Sequence, residues 1–280
     1  MKVSNIPNTN IIYLIENYEA LLFDAYGVLL NEFGVLPGAI NLIDKLNNTN
    51  KPYFILTNDA SRSVPTSSNF YKSFGLEIPE EKIITAGSLI YPYFQENNLK
   101  GSKCRVIGTD DCFLYVADAG GIVSDDDFDV LIIGASPDNY NFSSIEDLVN
   151  NLFSMLDVKE KVSVVLLNPD LLYPKSSDYY GIGAGSILLW LESFVEVRYP
   201  GQSKLQITRL GKPFKEIYQE AFRRTKTMNM VMVGDQLQTD IIGANNFGID
   251  SVLVHSGLTK NDTLTGQDIY PSYTLSSIND

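Results

Sequence analysis

Polar residues stand directly behind three apolar runs of this 280-residue chain. They are Asp24 after Leu21-Leu22-Phe23, Thr57-Asn58 after Phe54-Ile55-Leu56, and Gly234-Asp235 after Val231-Met232-Val233. Asp240 follows five positions after Asp235, and Lys212 sits between Gly211 and Pro213. Singly, such residues are turn formers, helix caps or solvated charges. Together they make a chemical set: separated carboxylates are hard oxygen ligands suited to magnesium, a threonine hydroxyl with neighbouring amides can hold an anionic oxygen, and a lysine neutralises charge around them.

These residues need elements that bring them to one place. Short apolar runs at Ala20 to Phe23, Tyr53 to Leu56, Val130 to Ile133, Val162 to Leu167, Met230 to Val233 and Ser251 to Val254 alternate with helix-like periodicity. That alternation predicts an α/β protein with a doubly wound, largely parallel sheet, in which ligands bind beyond the carboxyl ends of the strands. A helix is predicted from Pro213, with Phe214, Ile217, Tyr218, Ala221 and Phe222 at i, i+3, i+4, i+7, i+8 spacing. A second runs from about Gln238 to a stop at Gly248. The stretch from about 85 to 199 has strand candidates of its own around Cys104, Val130 and Val162, so it is read as an inserted α/β unit. Residues 1–84 and 200–280 then form the outer domain.

The order Asp24-Ala25-Tyr26-Gly27-Val28-Leu29, Thr57-Asn58, Lys212 and Gly234-Asp235 through Asp240 resembles the four motifs of the haloacid dehalogenase-like (HAD) hydrolases. The likeness extends to Thr57-Asn58-Asp59-Ala60-Ser61-Arg62, to Asn168-Pro169-Asp170-Leu171-Leu172-Tyr173-Pro174 and to Gly183-Ala184-Gly185. Those segments are similar to the phosphatases of sugar phosphates, p-nitrophenyl phosphate and pyridoxal phosphate, which carry a large α/β cap between the second and third motifs. The resemblance implies a Rossmann-like core with an inserted cap. It also implies magnesium-dependent hydrolysis of a small phosphorylated metabolite through an aspartyl phosphate on Asp24. Magnesium would be held by Asp24, the backbone carbonyl of Tyr26 and Asp235, with Asp240 in the outer shell or tied to Lys212. Thr57, Asn58 and Lys212 would bind the transferring oxygens.

Two positions depart from that pattern. Tyr26 stands where the related phosphatases carry an acid/base aspartate. With an unperturbed pKa of about 10, a tyrosine can donate a proton at neutral pH but is a poor base for the water step, so slow turnover is expected. Asp-Ala-Tyr-Gly also looks like the first motif of 2-haloacid dehalogenases, whose halide leaves without a proton; dehalogenation is therefore the rival reading. Asp59 stands where the related phosphatases have asparagine, and its charge would oppose a phosphate dianion. With Tyr26 it leaves open a catalytically weakened member that binds a ligand.

Other classes are disfavoured. With 21 basic and 34 acidic residues the net charge is −13, which repels nucleic acid and anionic lipid. Cys104 and Cys112 are too few for a zinc or disulfide framework, and a reducing, cytoplasmic location is expected. No signal-peptide core and no apolar run of roughly 18 residues is present. His255 is the lone histidine, so histidine triads do not arise. Gly181-Ile182-Gly183-Ala184-Gly185-Ser186 lacks the preceding strand and the later acidic residue of a dinucleotide site, and reads as a turn opening a helix. Tyr173, Lys175, Tyr179 and Tyr180 are weak candidates for substrate selection, and a homodimer stays open.

Overall fold

A computed structural model of the chain describes residues 6–135, 142–176 (174–176 as backbone only), 179–255 and 270–279. It divides into two compact units: residues 1–57, 64–84 and 212–280, and residues 58–63 and 85–211.

The first unit is built on a six-stranded sheet in the order Tyr273–Leu275, Asp250–Val254, Met230–Gly234, Ala20–Phe23, Tyr53–Thr57, Ile83–Thr85. Ala20–Phe23 pairs in parallel with Met230–Gly234 on one side and Tyr53–Thr57 on the other. From Ala20–Phe23 the chain steps outward through Tyr53–Thr57 to Ile83–Thr85, and later returns to Met230–Gly234 and steps outward the other way. The strand order therefore reverses between Ala20–Phe23 and Met230–Gly234, and the crevice beyond their carboxyl ends is where doubly wound sheets bind ligands. Both strands are buried along their whole length, as strands covered on both faces must be, which is why they read as unbroken apolar runs.

The second unit has a five-stranded parallel sheet in the order Leu205–Arg209, Val162–Leu166, Val130–Ile133, Lys103–Ile107, Ile122–Val123. An antiparallel hairpin, Leu172–Ser176 with Tyr179–Ile182, precedes the helix Ala184–Arg198. Leu131, Ile133, Leu152, Val164, Leu188 and Leu191 lie in its core.

The second unit is wider than the expected 85–199. Leu205–Arg209 forms a parallel ladder with Val162–Leu166, which carries the chain to residue 211 within this unit. Residues 58–63 belong to it as well, fastened by side chains of the helix Asp110–Asp118 and its N-cap. The helix expected from Pro213 begins instead at Lys215, with Phe214 as N-cap. The segment after Gln236 opens with a π-helical turn, Leu237–Ile241, then runs as α-helix from Ile242 to Phe247 and stops at Gly248 with φ +87°. Among the described residues, no helix is long and apolar enough to cross a membrane.

Candidate active site

Asp24 follows the strand Ala20–Phe23, and its backbone N–H continues the ladder by donating to the Val233 carbonyl at 2.9 Å. The register pairs Phe23 with both Val233 and Ile55, so Asp24, Gly234-Asp235 and Thr57 emerge at one sheet edge. Asp24 Oδ1 accepts from the Ala25 N–H at 2.8 Å and from Lys212 Nζ at 2.8 Å. Both contacts fall on the same carboxylate oxygen.

Lys212 Nζ also donates to Asp240 Oδ1 at 2.7 Å, and Asp240 Oδ2 accepts from the Gln236 N–H at 3.1 Å. Asp24, Asp235 and Asp240 each present a carboxylate oxygen within 4.8 Å of the others, and all three residues are buried. Lys212 is 2% exposed. Burial pushes the Asp24 carboxyl up, to about 7, against the opposing pull of the Lys212 charge; Asp240 adds to the rise. For Lys212, burial works to lower the pKa, but the charges of Asp24 and Asp240 outweigh it and the net direction is up. The lysine therefore stays protonated between two carboxylates.

Two glycines make this crowding feasible. Gly27 has φ +81°, and a Cβ on it would lie 2.4 Å from the Asp235 carboxylate. A Cβ on Gly234 would lie 2.2 Å from Asp240 Cγ. Tyr218, fully buried on the helix Lys215–Thr225, donates its hydroxyl proton to the Asp240 carbonyl at 3.1 Å and so fixes the turn from below. Three clustered carboxylates cradled by a glycine are hard oxygen donors of the type magnesium takes, so the residues present fit that ion.

These distances bring together Asp24, Lys212, Asp235 and Asp240, with Thr57 buried at the end of the neighbouring strand. Asn58 falls in the second unit, where its side-chain amide donates to Asp170 Oδ1 at 2.9 Å. Tyr26 is half-buried and its ring packs against the apolar core of the first unit. Asp59 is compensated locally: it accepts from the Ser61 N–H at 2.8 Å and forms an ion pair with Arg62.

Family models match at both ends of the chain: haloacid dehalogenase-like hydrolase over residues 21–121 and HAD-hydrolase-like over residues 209–280. The chain belongs to the haloacid dehalogenase-like hydrolases. Among curated HAD relatives, it is 25% identical to a dihydroxyacetone phosphatase of Corynebacterium glutamicum, over 92% of this chain and 89% of that one. It is also 25% identical to an acid sugar phosphatase of Staphylococcus epidermidis, over 94% and 96%. A solved structure described as a possible sugar phosphatase of the HAD superfamily, from Cytophaga hutchinsonii, superposes with a TM-score of 0.84 at 27% identity, covering 99% of each chain. The fold is shared too with a 4-nitrophenylphosphatase of Thermotoga maritima, with a TM-score of 0.81 at 19% identity over 95% and 97%.

In this HAD chain several supporting residues escape a reading by motif. Tyr218 reads as one more apolar position of its helix, and nothing local marks its hydroxyl as a partner of Asp240. Arg62 lies close to Asp59 in the sequence and carries the opposite charge, which is the local signal for their pairing. Tyr179 and Tyr180 are exposed on the hairpin, and the Tyr173 ring lies over Gly181, where a Cβ would come within 2.3 Å of it. The Lys175 side chain lies outside the described residues.

Proposed function

We propose that the chain is a magnesium-dependent phosphatase of small phosphorylated metabolites, with sugar phosphates as the first class to test, acting in the cytoplasm. The observation that carries this reading is the buried set of Asp24, Asp235 and Asp240 around Lys212 at the switch point of the sheet. The curated relatives named for dihydroxyacetone and acid sugar phosphatase support the substrate class. The two cysteines, buried and unbridged, are in keeping with a reducing compartment.

The Asp24 carboxylate attacks the phosphorus, forming an aspartyl phosphate as the bond to the ester oxygen breaks. Water then attacks the phosphorus, returns the carboxylate and releases inorganic phosphate. Lys212 holds Asp24 in place and screens the oxygens of the transferring group. Thr57 and Asn58 bind those oxygens. Asp24, Asp235 and the Tyr26 carbonyl would hold magnesium, with Asp240 beside them; the ion supplies charge neutralisation between an anionic nucleophile and an anionic substrate. Tyr26 can protonate a leaving alkoxide, but it is a poor base for the second step.

A panel of sugar phosphates, nucleoside monophosphates, p-nitrophenyl phosphate and 2-haloacids, run with and without magnesium, tests this reading. Phosphate release that needs magnesium and disappears in Asp24→Asn is the expected result. The Asp24-Ala25-Tyr26-Gly27 motif favours dehalogenation as the second reading. Halide release without metal, and no phosphate from any ester, would establish that alternative.

A further inference from the structure

The loop Asn58–Ser63 follows directly on Thr57, and a single helix with its N-cap bonds four consecutive residues of the loop backbone. Cys112 Sγ donates to the Ala60 carbonyl at 3.2 Å, Thr109 Oγ1 to the Ser61 carbonyl at 2.7 Å, and the Tyr115 hydroxyl to the Arg62 carbonyl at 2.8 Å. The Ser63 N–H donates to Asp111 Oδ2 at 2.7 Å. Thr109 is the N-cap of the helix Asp110–Asp118, yet its hydroxyl goes to the loop and makes no capping bond to its own helix.

Tyr115 has a second partner, and the direction of that bond can be derived. Thr85 Oγ1 lies 2.7 Å from Tyr115 Oη, and either atom could donate. A carbonyl only accepts, so Tyr115 spends its single proton on Arg62 and must accept from Thr85. Thr85 Oγ1 in turn accepts from the Ser88 N–H at 3.0 Å. The result is a directional chain: Ser88 N–H to Thr85 hydroxyl to Tyr115 hydroxyl to Arg62 carbonyl. Thr85 and Tyr115 are buried, so the bond between their hydroxyls is not readily replaced by water. Close packing supports the arrangement, because a Cβ on Gly87 would lie 2.2 Å from the Tyr115 ring. The chain of bonds joins the loop Asn58–Ser63 to Thr85–Ser88, the stretch with which the main body of the second unit begins.

We propose that Tyr115 is a positioning residue for phosphoryl binding: its hydroxyl sets the course of the Asn58–Ser63 backbone and thereby the placement of Asn58. This role rests on the phosphatase reading above. The Tyr115 hydroxyl bonds Thr85 and the Arg62 carbonyl, and acts through the loop.

Tyr115→Phe keeps the ring and deletes the proton that Arg62 accepts. The expected result is a rise on the order of tenfold in KM for p-nitrophenyl phosphate and in Ki for inorganic phosphate, the scale set by stranding a part-buried carbonyl. The kcat should stay within about twofold, because Asp24 and Lys212 are unaltered. Amide exchange in peptides spanning Asn58–Ser63 should quicken while exchange across Asp24–Leu30 holds. Thr85→Val removes only the upstream link and should raise KM and Ki by less; it also carries the test should Tyr115→Phe fail to fold. A lower melting temperature with KM and Ki unchanged in both variants would overturn the positioning role alone. Absence of any turnover by the unaltered protein would overturn the phosphatase reading, and this role with it.

Discussion

Lys212→Met keeps the length of the side chain and removes the ammonium group that lies 2.8 Å from Asp24 Oδ1 and 2.7 Å from Asp240 Oδ1. Taking away one partner of a buried pair strands the other, at a cost of about 3–5 kcal/mol. The cost depends on pH, and its sign follows from Asp24. Its carboxyl sits at about 7 in the folded protein against an ordinary 3.8, so the native state holds the proton more tightly than the unfolded chain does. Asp24 therefore contributes most to stability below about pH 4, and this contribution is lost as pH rises through 7. Lys212 is what holds that pKa down against burial. Without it, the folded value climbs further and the loss extends into the alkaline range. In metal-free protein, urea unfolding followed by circular dichroism should show Lys212→Met destabilised by about 3–5 kcal/mol at pH 8. At pH 5, where Asp24 carries a proton in both proteins, the deficit should be clearly smaller. A deficit that is equal at the two pH values, or larger at pH 5, would refute the assignment of Lys212 as the charge compensator of this cluster.

Two further outcomes follow from the same geometry. Gly27→Ala forces a side chain into φ +81° and places its Cβ 2.4 Å from the Asp235 carboxylate. A loss of roughly 2–5 kcal/mol is expected from backbone strain plus overpacking, and an unchanged thermal melt would contradict it. Tyr26→Asp should raise steady-state phosphate release from an alkyl phosphate by about 10²–10⁴-fold, the range typical of a general acid-base group. The gain should be much smaller for release of p-nitrophenolate in the first turnover, which needs no proton; equal gains in both assays would show that Tyr26 does not limit proton transfer.

Much of the core was legible because buried parallel strands must be apolar on both faces. Ala20–Phe23 and Val130–Ile133 coincide end for end with apolar runs in the chain. Leu205–Arg209 was not legible. It is an edge strand whose residues are only partly buried or exposed, so Leu-Gln-Ile-Thr-Arg carries no continuous apolar signal. The helix Lys215–Thr225 was expected two residues early, since the apolar spacing includes Phe214 whether that residue caps the helix or lies inside it. Asn58 shows a different limit. Its neighbour in sequence is Thr57, but the acceptor of its side-chain amide is Asp170, more than a hundred residues away.

The sequence by itself determined the kinds of chemistry available: carboxylates and a lysine placed behind buried strands, glycines where the backbone must turn tightly, and a tyrosine where an acid/base carboxylate would stand. Tertiary structure alone decided which of them meet. Asp24 and Asp235 come together because Ala20–Phe23 pairs with Met230–Gly234 at the point where strand order reverses. Backbone ladders carry no label for their partner, so that pairing is selected by packing of the whole sheet. The same packing encloses Lys212 between Asp24 and Asp240, where burial and neighbouring charge give Asp24 and Lys212 properties that neither has alone.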